Sequence, residues 1–329
     1  MTRPAARIVV EGKDKTSELI NTAKGGPLSS ITVTDEAGLI SDRLELVIDN
    51  RDGFAAPDPG TVIQVWLGYE GSPLKNMGRY RVDEITFSGP PNILSVSAAS
   101  AELTTAIKET KTRSWHEKTV GVIVGSIAGE NGLGLAIDAE IGEHFIEHID
   151  QHAESDMAFL SRLAKRHGAT FKLADGKVLF AKAGSRSAPS GAAKKPTKLK
   201  PFDVATWSVT RAQRSDHKSV ICYWHDHDKG KRKAEKAGSG EPAHRDKRRY
   251  RTAAEAKASA EGQLAALRRW KLDGSCEGVG NPALYAEGII SLDGFGPVDG
   301  QYLATTVTHT LDSSGYRTNV AFEGLNPDE

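Results

Sequence analysis

Residues 155–180 read SDMAFLSRLAKRHGATFKLADGKVLF, and the stretch predicts one amphipathic helix followed by one β-hairpin. Ser155 is placed to cap the helix, its hydroxyl accepting from a free N–H of the first turn. Asp156 puts negative charge at the positive end of the helix dipole. Lys165, Arg166 and His167 put positive charge at the other end. Phe159, Leu160, Leu163 and Ala164 recur at the spacing that gives a helix one apolar face. Gly168 can take the left-handed conformation that stops it. Phe171 and Leu173 then alternate with polar neighbours, Asp175-Gly176 is a tight-turn signal, and Val178 and Phe180 alternate on the return.

Working outward, residues 101–182 have the character of a small α+β domain. Thr119 is placed to cap a short helix carrying Val120, Ile123, Val124 and Ile127, and a strand is expected over 145–149. Residues 1–100 read as β throughout, with short alternating runs such as Leu44, Leu46 and Ile48 separated by Gly, Pro and Asp; that spacing points to a barrel or sandwich. Residues 183–200 have linker composition. Residues 201–329 return to β, interrupted by a charged segment near 226–249 expected to be a long exposed loop. One helix follows, with Thr252 and Glu255 as a capping box and Ala256, Ala260, Leu264 and Leu267 inward to about Trp270. The expected fold class is β-rich α+β, two β-barrel modules with a small α+β domain between them.

The 329 residues carry 43 basic and 43 acidic side chains, so net charge gives no argument for a polyanionic partner. The distribution is uneven: residues 182–251 hold 19 basic and 7 acidic residues, a net of +12 that the rest of the chain balances. Two cysteines are too few for a disulfide framework. The opening MTRPAARIVV lacks the apolar core of a secretory signal, and no run approaches the ~18 apolar residues of a membrane helix.

Candidate chemistry is sparse. His144, His148 and His152 are spaced by four, which on a helix would align metal ligands; Ile146 and Ile149 instead put them on a strand and its connection, where they diverge. Cys222 with His225, Asp226, His227 and Asp228 is a second candidate cluster, since His-x-His on a strand puts two imidazoles on one face; a third ligand is unmarked. Neither Cys222 nor Cys276 sits in a nucleophile motif. There is no G-x-S-x-G, no H-E-x-x-H and no Walker loop, Gly12-Lys13 lacking the upstream glycine. Residues 229–233 and 245–251 are basic enough to contact phosphate, with a solvated loop or an acidic partner as the competing readings. The expectation is no catalytic residue, no metal site and no cofactor.

Several segments, in order along nearly the whole chain, resemble the phage late-control D family, hub proteins of contractile tails and related injection systems. They are ITVTDEAGLISDRLELVIDNRDG with Asp35 and Asp42, PGTVIQVWLGYEG, GRYRVDEITFSGPP, SWHEKTVGVIVGSIAGENGL, the helix–hairpin of 155–180, RYRTAAEAKASAEGQLAALRRW and the closing AEGIISLDGFGPVDGQYLATTVTHTLDSSGYRTNVAFE. The segments 183–200 and 226–249 match nothing in that pattern. The resemblance implies two β barrels with an inserted α+β domain and a homotrimeric ring of six barrels. That ring joins a hexameric tail tube to a trimeric spike, among baseplate proteins and the tape measure, with DNA passing through its lumen. It also implies assembly in the host cytoplasm before incorporation in the virion tail. Other readings are a tail-tip peptidoglycan hydrolase, a host-surface or glycan binder, and a nucleic-acid binder working through 229–251.

Overall fold

Ile31, Val33, Leu44, Leu46, Ile48, Leu94, Val96 and Ala98 are buried, and each alternates with a less buried neighbour, the period of a strand with one face on a core. In the computed structural model they belong to one sheet of thirteen strands. The structure describes residues 3–20, 26–38, 42–101, 105–174, 176–185, 193–211, 217–226, 229–269 and 272–325. The chain divides into two compact units: 1–103, 196–208 and 274–322 form the first, and 104–195, 209–273 and 323–329 the second.

The sheet of the first unit runs, in spatial order, Val204–Arg211, Leu272–Val279, Gly315–Gly324, Gly300–Asp312, Leu28–Glu36, Arg43–Asp49, Ile93–Ser100, Lys75–Ser88, Val62–Tyr69, Pro4–Val10 and Lys13–Asp14. Thr197–Leu199 and Ile289–Leu292 form a parallel side branch. The N- and C-terminal parts of the chain meet where Leu28–Glu36 pairs antiparallel with Gly300–Asp312, from Glu36 opposite Thr306 to Ser30 opposite Asp312. Side chains reinforce that seam, Asp35 accepting from the Ala286 N–H at 2.8 Å and Thr306 donating to Glu36 at 2.7 Å, while Asp42 accepts from the Glu36 N–H at 3.0 Å within the N-terminal part. The Tyr69 hydroxyl donates to the Gly280 carbonyl at 2.7 Å, and a Cβ on Gly280 would lie 2.2 Å from the Tyr316 ring. Only glycine fits there. The core under this sheet is mostly aliphatic, with Tyr80 and Tyr316 buried in it, and trimming one of its leucines or isoleucines to alanine costs about 2–5 kcal/mol.

In the second unit the helix–hairpin forms as its sequence predicts. Asp156–Arg166 is helical, Ser155 accepts from the Ala158 N–H, and Phe159, Leu160, Leu163 and Ala164 are buried. Gly168 has φ +65°, and Ala169–Ala174 pairs with Lys177–Lys182; Asp175 lies outside the described residues. Thr119 caps the helix Val120–Glu130 through the Val122 N–H. The strand expected over 145–149 extends over Phe145–Ser155, paired with Thr110–Thr119.

Four expectations change. The segment near 226–249 is not a loop: Lys231–Gly238 and Ala243–Tyr250 flank the strand Ser219–Asp226 in a three-stranded sheet. One face of a sheet needs few apolar residues when a helix supplies the rest. Ala237 and Tyr250 join Val220 and Cys222 against Ala256, Ala260 and Leu264 of the helix Ala253–Arg269, while Arg232, Lys236, Arg245 and Arg249 take the other face. For the same reason 209–273 belongs to the second unit and not with the C-terminal strands. The linker segment ends in a strand, Thr197–Leu199, its residues 186–192 lying outside the description. The Ala253–Arg269 helix keeps half of its expected capping box: Thr252 accepts from the Glu255 N–H at 3.2 Å, whereas the Glu255 carboxylate accepts from the Arg251 N–H and pairs with Arg166 at 2.6 Å. Trp270 is outside the described residues. Gly168 and Gly262 face each other so closely that a Cβ on either would fall within 2.9 Å of the other's Cα.

Candidate functional site

The candidate histidines diverge. His148 and His152 lie on Phe145–Ser155 and His144 just before it. His148 and His144 instead each meet a histidine from another element: His148 and His116 bring their Nδ1 atoms to 3.0 Å, His144 and His167 to 3.1 Å. Asp150 accepts from His148 Nε2 at 3.0 Å. Burial, with the neighbouring His144 and Arg166, pushes His167 down to about 3, so its ring is neutral at any physiological pH. His152 is exposed. The second cluster is split by strand alternation: Cys222 is buried against the Ala253–Arg269 helix and His225 is exposed on the opposite face. His227 and Asp228 lie outside the described residues. Among the described residues no group of three or more His, Cys, Asp or Glu side chains is placed to hold a metal.

Neither cysteine is a nucleophile at neutral pH. Burial pushes both thiols up to about 11, with the Asp246 charge adding to the effect at Cys222. Only about one thiol in 10⁴ is then ionised at pH 7.

The most organised polar constellation is one the sequence did not announce. Asp156, read from sequence as a dipole partner, is fully buried and holds four donors: Lys111 at 2.7 Å, Arg113 at 2.6 Å, Gln151 at 2.9 Å and Asn131 at 3.1 Å. Burial alone would raise its pKa. Hydrogen bonds from Lys111, Gln151 and Asn131 and the Arg113 charge outweigh that and hold the carboxyl below its usual range. Glu130 completes the group, bound by Arg113 and Lys111. A carboxylate saturated in this way has no lone pair left for a substrate proton. It is a knot tying the helices Val120–Glu130 and Asp156–Arg166 to both strands of the Thr110–Thr119 pair. Its donors lie 5 to 45 positions away in sequence, beyond the reach of any local pattern.

The basic stretch has geometry of its own. Exposed apolar side chains occur on both units; on the first, Phe202 is 79% and Val279 69% exposed and Trp207 is 47% exposed on the end strand Val204–Arg211.

The sequence profile of the phage tail baseplate hub family (GPD) matches residues 93–315. A probable baseplate hub protein of Escherichia phage 186 is 36% identical over 222 residues, covering 67% of this chain; the chain spans 56% of that relative's length. The probable baseplate hub protein of Escherichia phage P2 is 27% identical over 97% of this chain and 93% of its own length. Two solved structures share the fold at 13% identity. The tail protein from Neisseria meningitidis MC58 has a TM-score of 0.70, with 99% of each chain covered. An Escherichia coli component of the type VI secretion system, described as structurally similar to T4 bacteriophage tail proteins gp27 and gp5, has a TM-score of 0.56, covering 91% of this chain and 73% of its own.

Proposed function

The chain belongs to the phage tail baseplate hub family, and we propose that three copies close a ring joining a hexameric tail tube to a trimeric spike. The family assignment gives it a structural place in a tail baseplate. The ring is the further step. What carries the reading is the fold shared along almost the whole chain with tail proteins. In this reading the large sheet counts as two barrel-like modules, the first over 1–100. The strand order supports that division, because it separates into an N-terminal run from Leu28–Glu36 to Lys13–Asp14 and a C-terminal run from Val204–Arg211 to Gly300–Asp312.

A ring needs one surface on each copy that fits a different surface on the next. The strand Val204–Arg211 ends the sheet path, and its exposed Trp207, with Phe202 and Val279 at the same end, leaves apolar area and backbone donors for a neighbouring copy. The spike partner is proposed because the secretion-system structure of this fold is described as resembling two phage tail proteins at once. The chain works without catalysis: the saturated Asp156 and the protonated cysteines leave no activated acid, base or nucleophile among the constellations described above.

Light scattering over a concentration series tests the ring. A species at three times the 35.3 kDa chain mass, alone or after addition of the spike, is expected. A strict monomer under both conditions would sink the proposal. A peptidoglycan zymogram is expected to stay blank, and a clearing band would overturn the non-enzymatic reading.

A further inference from the structure

Residues 229–251 hold ten basic and three acidic side chains, and the three-stranded sheet sorts them by face. On the helix side Lys233 pairs with Asp226 at 2.7 Å, and Glu235 accepts from the Trp224 indole at 3.0 Å. On the outer side the register places Lys236 and Arg245 on either side of Ile221, and Ala234 and Arg249 on either side of Tyr223. Arg232 lies over the Tyr223 ring at 3.6 Å. Arg232, Lys236, Arg245 and Arg249 are exposed. The described residues give Arg232, Lys236 and Arg249 no ion pair, and Arg245 only a 3.9 Å contact with exposed Glu241. Lys247 and Arg248, also exposed, lie in the bulge of the same edge.

We propose that this outer face binds the phosphate backbone of double-stranded DNA, without reading sequence. Four cations on one flat face, two strands apart, meet a line of phosphates and need no apolar anchor. A protein partner fits less well, because the centres of protein interfaces are depleted in charge overall and rich in open aromatic surface. Here the outer apolar side chains, Ile221 and Tyr223, are half-buried. A single strand fits less well too, since it binds by stacking bases on free aromatic faces, and Arg232 occupies the ring of Tyr223. The proposal asks nothing of trimer, tube or spike and stands apart from the hub reading.

Fluorescence anisotropy of a labelled ~20-base-pair duplex of arbitrary sequence, with the full chain, tests it. Four phosphate contacts give a log–log salt slope of about −3.6, so binding weakens about 150-fold between ~50 and ~200 mM salt. Lys236→Glu with Arg249→Glu is expected to flatten the slope by about 2 and to weaken low-salt binding at least ~10-fold. Lys75→Glu with Lys118→Glu, the same charge change at exposed sites elsewhere, is expected to leave both unchanged. Lys236→Gln with Arg249→Gln gives the same direction without reversing charge and covers the case in which reversal disturbs the sheet. No retention at low salt, equal losses in both Glu variants, or competition by poly-glutamate as effective as by duplex would each overturn the proposal, the last in favour of an acidic polypeptide.

Discussion

Two parts of the second unit handle charge in opposite ways. Around Asp156, charged and polar groups from two helices and two strands are drawn inward and both of its carboxylate oxygens are met by donors. On the outer face of the 219–250 sheet, cations of the same kinds stand in solvent with almost nothing opposite them. Both are dense in lysine and arginine. The difference teaches that charge density says little by itself: desolvation makes the first group mutually dependent, and solvent leaves each member of the second independent.

Removing one partner separates the two most sharply. Asp156→Ala leaves Lys111 and Arg113 with Glu130 alone and Gln151 and Asn131 facing a buried void, and is expected to cost about 3–5 kcal/mol in chemical denaturation. A loss under ~1 kcal/mol would show that the knot is as independent as the outer face. Acid gives the next effect. His167 titrates at about 3 in the folded chain against 6.5 for the free group, so between those values the unfolded state holds a proton that the folded state does not. Stability therefore falls as pH drops from 6.5 towards 3, on the order of 1 kcal/mol per pH unit. Asp156 adds its own loss only lower, since its depressed folded pKa contributes stability that is present above the unfolded value near ~4 and goes as pH falls further. His167→Gln is expected to flatten the upper part of the acid limb and leave the lower part. The smallest effect belongs to the outer face: Lys236→Glu or Arg249→Glu is expected to move stability by no more than about 0.5 kcal/mol, with thermal unfolding as the measurement.

Legibility in the sequence follows the range of the interactions. The helix–hairpin of 155–180 was readable because its cap, stop and apolar faces all lie within a few positions of one another. The strands Lys231–Gly238 and Ala243–Tyr250 were not, because the apolar face they need comes from Ala256, Ala260 and Leu264 on a helix later in the chain. Seen alone, KRKAEKAG is a solvated run. The grouping of 209–273 with 104–195 was hidden for the same reason, since neither segment marks its partner locally. Asp35 and Asp42 could be picked out through family resemblance, but their acceptance of the Ala286 and Glu36 N–H groups could not. The divergence of the histidines was legible for a local reason: spacing by four means convergence only on a helix, and Ile146 and Ile149 already marked a strand there.

The facing glycines 168 and 262 carry a consequence for how such a sequence can drift. Because each backbone occupies the space that a side chain on the other would require, a change to alanine at one position is not rescued by any choice at the other; glycine is already the smallest residue. The two positions therefore behave in descent as a single inherited character, kept together or released together only when the helix Ala253–Arg269 changes its approach. A lineage that lost Gly168 would show position 262 free to vary, leaving a paired signature in an alignment of descendants although the two residues exchange neither a hydrogen bond nor a charge; position 168 is held to glycine by its φ of +65° as well.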